Sequence, residues 1–235
     1  MQQKRSTILH PEWGTIIITH NARARRMILR ARRDAIYITL PPFATKKDVE
    51  NALSAHGSKL KEQQSNIPER SIQKTFTIEA ESFSLRLQQS PVRSLRLTGS
   101  SGAYTLHYPA TLNFEDEATQ QKLRHAINAA LTHRAKETLP ARLAQLAALH
   151  NMHYTSCTIR SSHTRWGSCS SRGTISLSCY LMILPQQLID YVLRHELCHT
   201  VEMNHGPRFW ALLDTLCGTS SKALRAKLKS YNTFF

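Results

Sequence analysis

The chain has 235 residues, enough for one large or two modest domains. Lys and Arg number 31 against 16 Asp and Glu, a formal charge of +15, which points to a polyanionic partner. No stretch approaches the roughly 18 apolar residues of a membrane span, and no basic start is followed by an apolar run; a soluble, cytoplasmic protein is expected. The five cysteines are odd in number and form no CxxC pair, which favours reduced thiols over a disulfide framework.

In chain order, residues 1–12 read as an irregular start. Two or three strands follow over 14–40, at Thr15–Thr19, Met27–Ala31 and Ile36–Leu40, the last ended by Pro41 and Pro42. Between them, Arg23, Arg25, Arg26, Arg30, Arg32 and Arg33 crowd into eleven residues, expected on one face of a hairpin. They are candidate nucleic-acid contacts, although no aromatic residue interleaves to form a stacking platform. Residues 46–64 carry a helical pattern with Val49, Leu53 and Leu60 inward, interrupted at Gly57. Short β patterns fill 74–108, and 115–150 is the longest helical pattern, broken or kinked near Pro140. Residues 155–184 alternate as strands, with Thr174–Ser178 expected at a sheet edge. A motif helix, a helix from about Pro207 and a basic last helix with Lys222, Arg225, Lys227 and Lys229 complete the chain. The expected fold class is α+β: a β-rich basic region over 1–110, then a compact core over 111–235 with a small sheet and the motif helix.

The chemistry concentrates in HELCHTVEMNH. His195 and His199, four residues apart on a helix, stack one turn apart on one face and can share an ion. Glu196 beside them suits a general base that activates water without ligating the metal. With 12 His in 235 residues, HExxH arises by chance in roughly one such chain in a few tens; a further His at a fixed offset lowers that to about one in several hundred. The third ligand is expected to be His205, returned to the ion by a turn at Asn204, Gly206 and Pro207. Glu202 and Asp214 are weaker alternatives. Three protein ligands with an open fourth position characterise a catalytic zinc site. A developing oxyanion needs a donor, and Arg165, Tyr180, Tyr191 and Arg208 lie near in sequence. Trp166 and Trp210 read as core support for the site.

RWGSCSS (Arg165–Ser171), ISL (Ile175–Leu177), IDYV (Ile189–Val192), HELCH and NHGPRFW (Asn204–Trp210) together resemble the YgjP-like metallopeptidase family, relatives of the SprT-like zincins. The resemblance is dense over 155–215 and looser before it. It implies one Zn2+ per chain, His195, His199 and His205 as ligands, Glu196 as acid/base, and protein or peptide substrates. Cys198 stands where the family pattern suggests Ala, and Ser178 and Cys179 where Asn and a bulkier polar residue are usual; none of these is an expected ligand. Peptides of nucleic-acid-bound proteins are a narrower substrate class suggested by the charge. A nucleic-acid-binding or scaffold module with a structural zinc is the alternative.

Overall fold

The computed structural model describes residues 5–31, 35–65 and 71–231. Two compact units divide the chain, residues 1–69 and 70–235. The division falls well before the expected boundary near residue 110.

In the first unit, β1 (Arg5–His10), β2 (Gly14–His20), β3 (Ile28–Ala31) and β4 (Ile36–Leu40) form one sheet in the order β1-β2-β4-β3. β2 and β4 run parallel, and the outer pairs are antiparallel. Alternation turns Ile16 and Ile18, with Ile36, Ile38 and Leu40, into a core closed by Val49, Leu53 and Leu60 of α1 (Lys46–Ser65). Thr45 and Asp48 start α1 reciprocally: the Thr45 amide donates to Asp48 Oδ2 (2.8 Å) and the Asp48 amide to Thr45 Oγ1 (3.3 Å). Two expectations fail here. Residues 5–10 are a strand, because they pair with β2 along their whole length. Gly57 does not interrupt α1; a Cβ there would lie 2.7 Å from the Trp13 ring, so glycine admits the indole to the core.

In the second unit, β5 (Thr77–Glu79), β6 (Ser84–Gln89), β7 (Arg96–Ser100) and β8 (Ala103–Tyr108) form a sheet ordered β5-β6-β8-β7. Phe83, Leu85, Tyr104 and Leu106 share one apolar core with Leu123, Ile127, Leu131, Leu139 and Leu143 of α2 (Glu117–Leu149). That shared core assigns residues 77–108 to the second unit, although the sequence reading grouped them with the basic N-terminal region. Asp116 caps α2 by accepting from the Thr119 amide (2.9 Å). The helix continues through Pro140 without a break, with buried Leu139 and Leu143 anchoring it on both sides.

A three-stranded sheet follows, β9 (Ser156–Arg160), β10 (Gly167–Cys169) and β11 (Thr174–Ser178), in the order β10-β11-β9. β11 is therefore the central strand and not the expected edge, since it pairs with both neighbours. A 3-10 turn (Cys179–Ile183) leads into α3 (Gln186–Cys198), then α4 (Pro207–Cys217) and α5 (Ser221–Leu228). Pro207 opens α4, and Gly218 closes it at φ 62°, a left-handed cap that glycine adopts without strain. The architecture is thus α+β, with several small sheets and five α-helices among the described residues.

Candidate metal centre

α3 buries Leu188, Ile189, Val192, Leu193 and Leu197 against the core, which turns His195 and His199 to its other side. His195 lies in the last turn, and His199 is the cap residue, still in right-handed backbone (φ −67°, ψ −12°). The chain then reverses over residues 200–206 through tight turns: the Thr200 amide donates to Leu197 O (2.9 Å) and the Gly206 amide to Asn204 O (2.7 Å). Asn204 makes this reversal without left-handed backbone, contrary to the expectation for it.

The reversal brings His205 back. Ring centroids stand 4.9 Å apart for His195 and His199, 5.0 Å for His195 and His205, and 4.7 Å for His199 and His205. One ring nitrogen of each lies within 4.8 Å of those of the other two. His199 Nδ1 donates to the Glu202 carbonyl (3.1 Å), which fixes the tautomer and leaves Nε2 as acceptor. Glu202 thus contributes a backbone oxygen to His199. Phe209 is fully buried beneath the cluster, its ring 4.6–4.9 Å from all three imidazoles. Trp210 stacks on His205, and its Nε1 donates to the His205 carbonyl (3.0 Å). Arg225 lies 5.3 Å over the Trp210 ring.

Glu196 is 5 % exposed, and its Oε2 has no hydrogen-bond partner among the described residues. Burial pushes its carboxyl up to about 8, against the opposing charge of Arg165. Burial and the neighbouring His199, His205 and Arg225 push the His195 imidazole down to about 3. Burial, His199 and Arg225 lower His205 in the same direction. Three imidazoles with ring nitrogens close to one another, beside an orphaned buried carboxyl, form a donor set that fits a divalent cation. Nitrogen donors of this kind suit zinc and also manganese, cobalt and nickel.

β10 passes directly over Glu196. A Cβ on Gly167 would lie 2.6 Å from Glu196 Oε1, so only glycine allows the strand this approach. The Ser178 amide donates to Trp166 O (2.8 Å) and the Ser170 amide to Thr174 O (2.9 Å). By antiparallel alternation, the main-chain groups of Gly167 and Cys169 therefore face the open side of the sheet. The sequence reading missed Gly167, though a glycine inside an alternating stretch signals close approach. It also missed Phe209, which looks like any core aromatic in sequence.

The oxyanion candidates separate. Tyr180 is fully buried; its hydroxyl donates to Asn128 Oδ1 (2.6 Å) and shares a 2.7 Å bond with His163 Nε2, which assigns it to the core. Tyr191 is buried with its ring 6.1 Å from that of His195. Arg165 is exposed, and its charge acts on Glu196. Arg208 is exposed in the first turn of α4. In the first unit, Arg23, Arg25 and Arg26 are exposed in the loop before β3 and Arg30 is exposed on it, so they do not line a single hairpin face. Arg32 and Arg33 lie outside the described residues.

A cluster of convergent imidazoles beside a buried carboxyl is the kind of centre a metal-dependent hydrolase requires. The model of the YgjP-like metallopeptidase domain matches residues 25–231, and the chain belongs to that family. Among solved structures it is similar to the metallopeptidase zymogen jannalysin of Methanocaldococcus jannaschii, at 20% identity, covering 39% of this chain and 93% of that one with a TM-score of 0.33. No curated protein matches. Among the described residues, no helix is long and apolar enough to cross a membrane.

Proposed function

We propose that the chain is a zinc-dependent metallopeptidase with a zincin-type core, hydrolysing peptide bonds with His195, His199 and His205 as ligands and Glu196 as general base and acid. The observation that carries this reading is the convergence of the three imidazoles beside a buried, unpartnered Glu196. Zinc, when bound, supplies Lewis acidity to polarise the scissile carbonyl and makes water acidic enough to deprotonate near neutral pH. Glu196 accepts that proton on its unpartnered Oε2 and returns it to the leaving amine. The buried surroundings of Glu196, which favour its protonated form, suit the second half of this cycle. Phe209 and Trp210 hold the histidines in register and keep one side of the site dry. The open edge of β10 supports main-chain pairing of an extended substrate beside Glu196. The charge of Arg165 acts on Glu196, and Arg208 and Tyr191 are the remaining oxyanion candidates.

The test compares zinc content and peptide cleavage in wild type, Glu196→Gln and His199→Ala. Glu196→Gln is expected to keep about one zinc per chain and lose hydrolysis by 10²-fold or more; His199→Ala loses both. Equal cleavage by Glu196→Gln and wild type refutes the general-base role. Zinc in a wild type that cleaves no peptide favours the scaffold reading.

The four exposed arginines of the first unit favour a second element, contact with nucleic acid that directs the peptidase to bound proteins. Replacing Arg25, Arg26 and Arg30 by Ala should weaken DNA binding and flatten its salt dependence by about one unit of slope per lost contact. Unchanged binding removes this element and leaves the peptidase reading intact.

A further inference from the structure

A cavity of about 190 Å³ opens beside β10, lined by Arg160, Arg165, Ser162, Ser168, Ser176 and Ser178, with Gly167 and Leu177 at its border. The sheet register explains its composition. Ile175 and Leu177 alternate into the core, so Ser176 and Ser178 of β11 take the opposite face. Pairing then aligns Ser168 and Thr158 with Ser176, and Arg160 with Ser178. Arg160 Nε reaches Ser176 Oγ at 3.4 Å, and Ser178 Oγ donates to the Ser162 carbonyl at 2.8 Å. The lining thus presents two guanidinium groups and several hydroxyls, and it contains no carboxylate. Neither arginine is ion-paired among the described residues.

Gly167 links this cavity to the candidate metal centre, because it borders the cavity and also packs against Glu196. An extended chain paired to the open edge of β10 would send successive side chains to opposite faces of the sheet. One would face Glu196, and its neighbour would face the cavity. A carboxylate matches a guanidinium fork through charge-assisted, paired hydrogen bonds, whereas an ammonium is repelled.

We propose that this cavity is a substrate subsite for an acidic side chain, aspartate or glutamate, adjacent in the substrate to the residue facing Glu196. The proposal rests on the peptidase reading for its orientation, and its test separates the two. Zinc-loaded full-length Glu196→Gln, which cannot turn over, is titrated with fluorescein-labelled Ala/Ser octapeptides carrying Glu, Gln or Lys at each position in turn. Fluorescence anisotropy should show Glu bound about tenfold more tightly than Gln at one position, a difference of about 1.4 kcal/mol, and Lys bound most weakly. Adding Arg160→Glu, an exposed position, should abolish that preference or turn it toward Lys. Equal binding of the three peptides, no binding of any, or a preference that survives Arg160→Glu would overturn the subsite. Clear discrimination with no cleavage of any peptide by wild type would leave the acidic-peptide site standing and refute the peptidase.

Discussion

Gly167 and Trp210 show how narrowly the site depends on single atoms outside the HExxH motif. A methyl group at Gly167 must displace the Glu196 carboxylate, its neighbour at 2.6 Å. Gly167→Ala should therefore retain zinc and secondary structure yet lose about 10²-fold in kcat, the usual cost of misplacing a reacting group by roughly 1 Å. Parallel zinc analysis and peptide kinetics check this; unimpaired kcat would mean that the strand yields and the carboxylate stays in place. Trp210 acts on His205 through its backbone carbonyl (3.0 Å) and by stacking. Trp210→Phe keeps an aromatic ring and removes the hydrogen bond, so zinc affinity should fall about 10-fold to 100-fold in a competitive chelator titration. Wild-type affinity in that variant would show that the turn over residues 200–206 holds His205 unaided.

Among elements, α2 and α3 are joined by an ion pair. Arg142 Nε donates to Asp190 Oδ1 (2.8 Å), a second guanidinium nitrogen meets Oδ2, and Gln186 Nε2 adds a bond to Oδ1 (2.8 Å). Burial pushes the Asp190 carboxyl up, but the hydrogen bonds from Arg142 and Gln186 and the charges of Arg142 and Arg194 outweigh it; the net direction is down from 3.8. A carboxyl depressed in the folded state stabilises above its unfolded value and loses that contribution as pH falls through the folded value. Urea midpoints should accordingly drop on acidification below about pH 4, and Asp190→Asn should flatten that drop. Because the Arg142 side chain is 38% exposed, the pair contributes only about 1–2 kcal/mol. The larger element-scale term is apolar: Leu143→Ala, at a fully buried position just after Pro140, should cost about 2–5 kcal/mol by the same urea assay.

At the scale of the molecule, each unit carries its own apolar cluster, and the convergent histidines, Glu196, β10 and α2 all belong to residues 70–235. A fragment beginning at Arg70 should fold cooperatively and bind about one zinc, as circular dichroism and elemental analysis would show. An unfolded fragment, or one without zinc, would mean that the first unit completes the second. The family match, residues 25–231, spans both units, so most of the basic unit belongs to the same family pattern.

Much of this was legible in sequence because it is local. Strands β2, β3 and β4, helix α1 and the helices from α3 onward follow from period and punctuation. So does the pairing of His195 with His199, which needs only the pitch of a helix. The candidacy of His205 rested on a short, Gly- and Pro-marked stretch after α3. What the sequence did not determine depends on partners distant in the chain. β1 is a strand because β2 pairs with it, position 57 takes glycine inside a continuous α1 because Trp13 fills the space of a side chain, and α2 passes through Pro140 with Leu139 and Leu143 buried on either side. The edge position of β10, its contact with Glu196 and the gathering of Arg160 and Arg165 beside it likewise exist only after three strands are ordered in space. Sequence spacing specifies which groups one helix can present together; only the packed tertiary structure decides which backbone passes over them, which polar atoms lose their water, and which charges face the same cavity.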